Sequence, residues 1–297
     1  MTIENIAAAC EGTFVGDRNL VTKEIAGAVT DSRQIQKDYL FIPIKGARVD
    51  GHDFIPQVFE QGALVVLSDH ALPEETGPYI LVSSTTEAMK KIAAFYRTQL
   101  SCKVVGITGS VGKTSTKEMI ASVLEQRYKV LKTEGNFNNE IGLPLTIFKI
   151  RAKHEVAVLE MGISDFGEMH RLAAMARPDI GVITNIGLCH LENLGTRDGI
   201  LQAKTEMFDH LQVDGTVILN GDDDKLSTKK EVNGKPVIFY GVGADSAFDI
   251  KKDIYATDIE NHGLEGMCAK IHTPQGDFDA KIPIPGEHNV YCLLYTS

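Results

Sequence analysis

The sequence predicts an α/β protein with two parts: a small N-terminal α/β domain, and a central domain with a mostly parallel sheet and antiparallel edge strands. Three observations support this prediction. Apolar strand-like segments alternate with helical segments, a glycine-rich loop follows one of these strands, and polar residues follow two others. The chain has 297 residues, a length that accommodates two domains.

The first predicted domain covers residues 1–100. Near its end, Met89, Ile92, Ala93 and Tyr96 recur at helical spacing. We predict strands at 39–44, 64–67 and 79–82, and helices at 52–63 and 86–100. Because strands and helices alternate here, this part of the chain forms a small α/β unit of its own.

The second predicted domain covers residues 101–290 and begins with a strand–loop–helix unit. We predict strands at 103–108, 156–160, 180–185 and 216–220, and helices at 114–128, 168–176 and 199–211. Such alternation favours a parallel sheet with helices on both faces. After residue 236 the predicted strands are shorter and form hairpins, as at 263–271 and 278–284. We assign them to an antiparallel edge of the same sheet.

The composition excludes several classes of protein. Hydrophobic residues make up 43% of the chain, which is enough for a sizeable core. The net charge of −10 argues against a nucleic-acid partner, because a phosphate backbone requires a basic face. No apolar run has the length of a membrane span, the N-terminus does not read as a signal peptide, and the five cysteines lack paired spacing. We therefore expect a protein of a reducing cytoplasm.

The glycine-rich loop lies in the segment GITGSVGKTSTKEM, residues 106–119. Its three glycines allow the backbone N–H groups to approach an anion, and the helix that follows adds its positive N-terminal end. Lys113 supplies a positive charge to terminal phosphates, and Thr114 offers a hydroxyl to Mg²⁺. The strict P-loop pattern requires a glycine five residues before Gly112, where this chain has Ile107. The remaining pattern still predicts a mononucleotide-binding P-loop, which by itself fits a switch, an ATPase, a kinase or a ligase.

Five further polar residues are candidates for the same site. Glu160 ends an apolar strand, where a carboxylate can hold Mg²⁺ or simply be solvated. His190 follows a second strand and Lys204 lies in a predicted helix, and taken alone both read as ordinary polar residues. Asn138 and Asn139 belong to a sharply shaped loop that is compatible with binding.

Six segments follow one another along the chain: TGSVGKTSTK, TEGNFNNEIGLPLT, VLEMGISDFGEM, ITNIGLCHLENLG, AKTEMF and PGEHNV. Together they resemble the Mur ligases, the ATP-dependent amide-forming enzymes of bacterial peptidoglycan precursor synthesis. The stretch TDSRQIQKDYLFIPIKGARVDGHDFI resembles the nucleotide-sugar domain of that family. The resemblance implies the substrates UDP-N-acetylmuramoyl-tripeptide and D-alanyl-D-alanine, a bacterial cytoplasmic location and a monomer.

Two alternatives stay open within this resemblance and one outside it. The tripeptide-forming Mur ligase and folylpolyglutamate synthase share the phosphate loop and differ in the region that binds the incoming amine. A nucleotide-binding switch without ligase activity would carry an Asn-Lys-x-Asp run for guanine, and the sequence has none.

The resemblance implies a role for each matching residue. The residues that match ATP-binding positions are Gly109, Ser110, Gly112, Lys113, Thr114, Ser115 and Asn289, the last near the adenine. The residues that match magnesium positions are Thr114, Glu160, His190 and Lys204, the last as a carbamate. The residues that match substrate positions are Ser32 and Arg33 at the uridine diphosphate, and Asn138 and Asn139 beside the reacting carboxylate. The residues with an implied catalytic role are Lys113, Lys204 and His190.

The implied cofactors are ATP, Mg²⁺ and a carbamylated Lys204. A protonated Lys204 beside Mg²⁺ would be repelled, whereas its neutral amine can add carbon dioxide and become an anion. Burial favours the neutral amine. The implied reaction converts the carboxylate of the tripeptide into an acyl phosphate, which the amine of D-alanyl-D-alanine then attacks.

The resemblance also implies a third, C-terminal domain, which would begin with an Asn- and Ala-rich helix. This sequence reads YCLLYTS at that point. We therefore expect residues 291–297 to form an aberrant or truncated tail, and we expect low ligase activity from these 297 residues alone.

Overall fold

The computed structural model describes residues 1–294, which divide into two compact units. The first unit comprises Met1–Leu100 together with Pro144–Ile150, and the second comprises Ser101–Leu143 and the chain from Arg151 onward. The sequence did not indicate that Pro144–Ile150 groups with the first unit. Residues 295–297, the end of the predicted tail, lie outside the described residues.

The first unit contains a five-stranded sheet in the order β1-β5-β4-β3-β2. Its strands are β1 (Thr13–Val15), β2 (Gly27–Val29), β3 (Tyr39–Phe41), β4 (Val65–Ser68) and β5 (Tyr79–Leu81). Its helices are α1 (Ile3–Ala9), α2 (Ile55–Glu60) and α3 (Thr85–Thr98). The pair β1–β5 is antiparallel and the other pairs are parallel. The core cluster of this unit contains Phe41, Ile55, Val58, Val66 and Tyr79.

The predicted helix at 52–63 is divided in the structure. A 3₁₀ turn at Gly51–Phe54 precedes α2, which begins at Ile55 and has a proline in its first turn. The carboxylate of Asp50 starts the 3₁₀ turn, because its Oδ1 accepts a hydrogen bond from the backbone N–H of His52 at 3.0 Å. This turn brings His52 close to Asp69, which directly follows β4.

The second unit contains a larger, mostly parallel sheet in the order β15-β14-β13-β12-β10-β9-β6-β8-β7. Its first five strands are β6 (Lys103–Thr108), β7 (Val130–Lys132), β8 (Val156–Glu160), β9 (Ile180–Ile183) and β10 (Thr216–Asn220). The others are β11 (Glu231–Val232), β12 (Lys235–Val242), β13 (Ile254–Asn261), β14 (Met267–Thr273) and β15 (Gly276–Ile282). Three predicted strands, now β6, β8 and β10, have the predicted bounds.

Six further helices follow β6 along the chain within residues 1–294, and most of α5 belongs to the first unit. They are α4 (Lys113–Leu124), α5 (Gly142–Ile147), α6 (Glu168–Ala176), α7 (Leu191–Leu194), α8 (Arg197–Thr205) and α9 (His288–Leu294). The predicted helix at 199–211 is α8 followed by a 3₁₀ turn at Glu206–His210. Among residues 1–294, no helix combines the length and the apolar character that crossing a bilayer requires.

The edge of the sheet differs in part from the prediction. The expectation of short strands after residue 236 is wrong, because β12 and β13 each have 8 residues. Moreover, β12 pairs parallel to β10, and β13 pairs parallel to β12. The antiparallel edge itself is confirmed, and it consists of β13, β14 and β15.

The order of the central strands positions the candidate site. Because β6 pairs parallel to both β8 and β9, the carboxyl ends of these three strands lie at one edge of the sheet. The residues that follow them are therefore neighbours in space although they are distant in sequence.

Candidate active site

The glycine-rich loop connects β6 to α4, and its glycines are required by its shape. Gly109 has a φ of +154°, and a Cβ added there would lie 1.8 Å from the hydroxyl oxygen of Thr184. Gly112 has a φ of +80° and caps α4, which begins at Lys113. The free N–H groups at the start of a helix favour an anion, so the loop is shaped for phosphate.

Two residues that follow β9 hold this loop in place. The hydroxyl of Thr184 donates to the carbonyl of Val111 at 2.8 Å. The side chain of Asn185 donates to the same carbonyl at 3.0 Å and accepts from the N–H of Val111 at 3.0 Å. The hydroxyl of Ser110 accepts from the N–H of Gly187 at 2.8 Å. Sequence reasoning missed Thr184 and Asn185, although their place directly after an apolar strand was a usable signal.

The side chain of Lys113 folds back over the glycine-rich loop that precedes it. Its ammonium donates a hydrogen bond to the carbonyl of Gly109 at 2.9 Å. The charge is therefore held beside the backbone that would surround a phosphate. The loop and the lysine are brought together as the motif predicted.

Glu160 is the acidic centre of the site. The residue is 2% exposed, and its Oε2 accepts a hydrogen bond from the hydroxyl of Thr114 at 3.0 Å. Its Oε1 accepts from the side-chain amide of Asn138 at 2.8 Å, and its backbone N–H donates to the hydroxyl of Thr133 at 3.0 Å. The carboxylate and the hydroxyl of Thr114 are hard oxygen donors, which fit the preference of Mg²⁺.

Sequence reasoning missed a buried lysine beside this carboxylate. The side chain of Lys117 is 1% exposed, and its ammonium donates to the carbonyl of Thr133 at 2.7 Å. The same ammonium lies 3.0 Å from Oε1 of Glu118 and 4.0 Å from Oε2 of Glu160. Helical spacing could have indicated that Lys117 is buried, because it stands four residues before the buried Ala121 on the inner face of α4.

Lys204 is also buried, on the inner side of α8, with 1% of its surface exposed. Burial lowers the pKa of its amine to about 8, an effect that the nearby Cys189 opposes and the charge of Lys113 adds to. A neutral amine is therefore available near neutral pH. Lys204 therefore lies close enough to Lys113 for the charge of Lys113 to lower its pKa.

His190 and Asn139 are not joined to this group in the structure. His190 is exposed in a left-handed conformation before α7, and within residues 1–294 no hydrogen bond or ion pair involves its ring. The side chain of Asn139 accepts from the N–H groups of Ile141 and Gly142 at 3.1 and 2.8 Å. Asn139 therefore starts α5 in the manner of an N-cap.

A cleft of about 410 Å³ opens beside the loop. The residues that line it are Val111, Gly112, Ser115, Thr116, Thr184, Asn185, Asn220, His288, Tyr291 and Cys292. Ser115 is thus placed at the cleft. Asn289 is buried and is not among the lining residues, and its side chain donates to the carbonyl of Pro285 at 2.9 Å. The volume lies in the range of small-molecule sites.

The remaining two candidates belong to the first unit. Ser32 is buried at the start of a 3₁₀ turn, Ser32–Gln34. The guanidinium of Arg33 is exposed and pairs with the carboxylate of Asp31 at 2.7 Å, which lowers the pKa of that carboxyl group. Their predicted role in substrate binding stays a prediction.

The parallel sheet, the glycine-shaped loop at the start of a helix, and the acidic group at the next strand end define a P-loop α/β protein. The particular family follows from comparison with known proteins. A family model described as "Mur ligase middle domain" matches residues 107–296, and one described as "Mur ligase family, catalytic domain" matches residues 24–97. The chain belongs to the Mur ligase family.

Curated relatives share much of the sequence. The UDP-N-acetylmuramoyl-tripeptide–D-alanyl-D-alanine ligase of Bacillus subtilis is 42% identical over 97% of this chain and 61% of its own length. The protein with the same name from Escherichia coli is 35% identical over 88% of this chain and 56% of its own length. The chain therefore spans about three fifths of the length of these relatives.

Solved structures of the same family have the same fold. A crystal structure of MurF from Acinetobacter baumannii matches with a TM-score of 0.87 and 33% identity, over 98% of this chain and 62% of that one. A MurF ligase from Thermotoga maritima in complex with ADP matches with a TM-score of 0.80 and 29% identity, over 91% of this chain and 61% of that one.

Proposed function

We propose that this chain binds ATP and activates a peptide carboxylate in an amide ligase, which joins D-alanyl-D-alanine to UDP-N-acetylmuramoyl-tripeptide. The observation that carries the proposal is the hydrogen bond from Thr114 of the phosphate loop to the buried Glu160, at 3.0 Å. The substrates are inferred from the names of the relatives. ADP in the Thermotoga maritima structure supports ATP as the nucleotide.

The reaction has two steps: phosphorylation of the carboxylate, and displacement of the phosphate by an amine. An oxygen of the tripeptide carboxylate attacks the γ-phosphorus of ATP, the bond to the bridging oxygen breaks, and ADP leaves. The amine of D-alanyl-D-alanine then attacks the acyl carbon and loses a proton, and inorganic phosphate leaves as the amide forms. Phosphorylation is needed because a free carboxylate has no good leaving group.

The residues of the loop neutralise charge in the first step. The ammonium of Lys113, which donates to the carbonyl of Gly109 at 2.9 Å, is placed to contact the terminal phosphates. The first N–H groups of α4 add a positive potential at the same point. The attacking carboxylate and the phosphate are both negative, so this positive charge lowers the barrier.

Thr114 and Glu160 would hold Mg²⁺, which supplies electrostatic stabilisation of the phosphate charge. Asn138 fixes the orientation of Glu160 through its 2.8 Å hydrogen bond. Its effect on the reaction would therefore be indirect, through the position of that carboxylate. The ring of His190 is exposed, so it would have to move toward Thr114 and Glu160 to bind the same ion. Imidazole is also not a usual magnesium ligand. Asn289 would act near the adenine, and Ser32 and Arg33 would act at the uridine diphosphate.

Lys204 is proposed to carry a carbamate. Its neutral amine adds carbon dioxide and releases one proton, which gives a carbamate anion. The low pKa of about 8 supplies the neutral amine, and burial protects the product from water.

The proposal is tested with the 297-residue protein, ATP, Mg²⁺, the UDP-muramoyl tripeptide and D-alanyl-D-alanine. We expect hydroxylamine to trap the acyl phosphate as a hydroxamate, and mass spectrometry to detect the pentapeptide product in low yield. Lys113→Ala should reduce hydroxamate formation at least about 100-fold with the fold intact. Trapping of the same hydroxamate by that variant at the normal rate would refute the assigned role.

The alternatives are separated by offering other acceptors. A UDP-muramoyl dipeptide with lysine or diaminopimelate tests the tripeptide-forming reaction, and a folate with glutamate tests the folylpolyglutamate reaction. Nucleotide binding with no carboxylate-dependent ADP release in any mixture would favour the nucleotide switch.

A further inference from the structure

Two histidines and an aspartate meet in the first unit. His52, Asp69 and His70 offer one ligand atom each, and these atoms all lie within 4.8 Å of one another. Nε2 of His52 is 3.4 Å from Oδ1 of Asp69, and Nδ1 of His70 is 2.8 Å from the same oxygen. His52 comes from the 3₁₀ turn Gly51–Phe54, whereas Asp69 and His70 directly follow β4, so the cluster joins two separate segments.

The ring of His52 is fixed by a second carboxylate. Oδ1 of Asp50 lies 2.7 Å from Nδ1 of His52 and also accepts the backbone N–H of His52 at 3.0 Å. A carboxylate on one ring nitrogen holds the proton there and leaves the other nitrogen as a lone-pair donor. This arrangement is the usual support of a metal-binding histidine.

The other nitrogen of His52 has no hydrogen-bond partner. The side chain is 7% exposed, and within residues 1–294 its Nε2 is buried without a hydrogen bond. Oδ1 of Asp69 lies 3.4 Å from this nitrogen, which exceeds the usual hydrogen-bond range of about 2.7–3.2 Å. A buried polar atom without a partner costs free energy, and an ion between these residues would remove that cost.

We propose that His52, Asp69 and His70 bind a divalent transition-metal ion of the zinc class. Two imidazoles and one carboxylate suit zinc, cobalt or nickel, whereas Mg²⁺ prefers oxygen ligands. Bonds of about 2.0–2.1 Å at tetrahedral angles separate neighbouring ligand atoms by about 3.3 Å, close to the 3.4 Å between Nε2 of His52 and Oδ1 of Asp69. The fourth position is open to water. The ion would fasten the 3₁₀ turn to the end of β4.

The test is metal binding to the full 297-residue protein after treatment with a chelator. Co²⁺ titration is followed by its visible absorption, and Zn²⁺ titration by calorimetry, both with millimolar Mg²⁺ present. We expect one saturable site that excess Mg²⁺ does not displace, together with a higher Tm on binding, because the ion binds the folded state. Asp50→Asn keeps a side chain that can cap the turn and should weaken binding about 10- to 100-fold.

The decisive variant is His70→Gln, because His70 is 57% exposed and its replacement should not unfold the protein. We expect this variant to lose at least as much affinity as Asp50→Asn. The matched control is His210→Gln, since Nε2 of His210 lies 3.1 Å from Nε2 of His170 in the second unit and that pair is a competing two-histidine site. Binding should be unchanged in this control.

Four results would overturn the proposal, and three of them come from the variants and the cobalt spectrum. They are wild-type affinity in His70→Gln, loss of binding in His210→Gln, and a sulfur-to-cobalt charge-transfer band, which would place the ion on a cysteine. Absence of any saturable site for either ion would do the same.

Discussion

The ammonium of Lys117 lies 4.0 Å from Oε2 of Glu160, and both side chains are almost completely buried. The same ammonium donates to the carbonyl of Thr133, whose hydroxyl accepts from the backbone N–H of Glu160. Lys117 thus places a positive charge beside Glu160 and ties α4 to the segment that follows β7. We infer that Lys117 positions the acidic group without contacting the nucleotide.

Lys117→Met should therefore destabilise the protein by about 3 kcal/mol, because it leaves a buried carbonyl and a buried carboxylate without their cation. The measurement is urea unfolding at neutral pH. Lys132→Met is the matched control, since Lys132 also pairs with Glu118, at 2.6 Å, but is 35% exposed. The control substitution should lower the free energy of unfolding by less than about 1 kcal/mol. Equal losses in the two variants would contradict a special role for Lys117.

Thr114→Val should impair use of Mg²⁺ while leaving the fold stable, because the exposed side chain keeps its shape and loses only its hydroxyl. We expect the Mg²⁺ concentration for half-maximal acyl-phosphate formation to rise about 100-fold. Thr114→Ser keeps the hydroxyl that donates to Glu160 at 3.0 Å and should behave nearly as the original protein. An unchanged Mg²⁺ requirement in Thr114→Val would remove Thr114 from the metal site.

Gly109→Ala should lower the free energy of unfolding more than Gly112→Ala. At Gly109 a Cβ would overlap the hydroxyl of Thr184, and the φ of +154° is a conformation for glycine, so we expect a loss of at least about 2 kcal/mol. At Gly112 a Cβ meets nothing within 4 Å, and the φ of +80° costs about 1 kcal/mol. Chemical unfolding of both variants checks this order, and a reversed order would show that the loop has another conformation.

The stability of the protein should depend on Lys204 at alkaline pH. The folded-state pKa of about 8 lies below the ordinary value of 10.5, so between these values the unfolded chain binds more protons. The contribution of this group to the free energy of unfolding therefore rises as the pH rises from about 8 to 10.5. Urea unfolding at pH 7.5 and 9.5 should show a larger increase for the original protein than for Lys204→Met. Parallel behaviour of the two proteins would argue that Lys204 is not perturbed.

The carbamate has its own test. With ¹³C-labelled bicarbonate, we expect a carbamate carbon signal that strengthens between pH 7 and pH 8, as the neutral fraction of Lys204 rises from about one tenth to about one half. Lys204→Ala should lack the signal, and short carboxylic acids should partly restore its activity. A signal of unchanged strength in that variant would assign the carbamate to another amine.

The sequence predicted those features that depend on neighbouring residues. The apolar runs of β6 and β8 predicted their bounds, because a strand buried on both faces needs a continuous apolar segment. The spacing of glycine, lysine and threonine predicted the phosphate loop for the same local reason. Ordered motifs predicted the family, and the position of Glu160 at a strand end made it a candidate for the site. The 3₁₀ turn before α2 also followed a local rule, the capping carboxylate of Asp50, which sequence reasoning did not apply.

Only the tertiary structure decided which distant residues meet. Lys117 reads as an ordinary helical lysine until α4 packs it against the segment after β7, and Thr184 and Asn185 brace the phosphate loop only because β9 lies beside β6. The parallel pairing of β12 with β10, and the approach of His52 to Asp69, have the same origin. Strand order and long-range packing are set by burial of the whole core, a quantity summed over many residues. A local pattern therefore determines what each segment is, and the folded chain determines what each side chain faces.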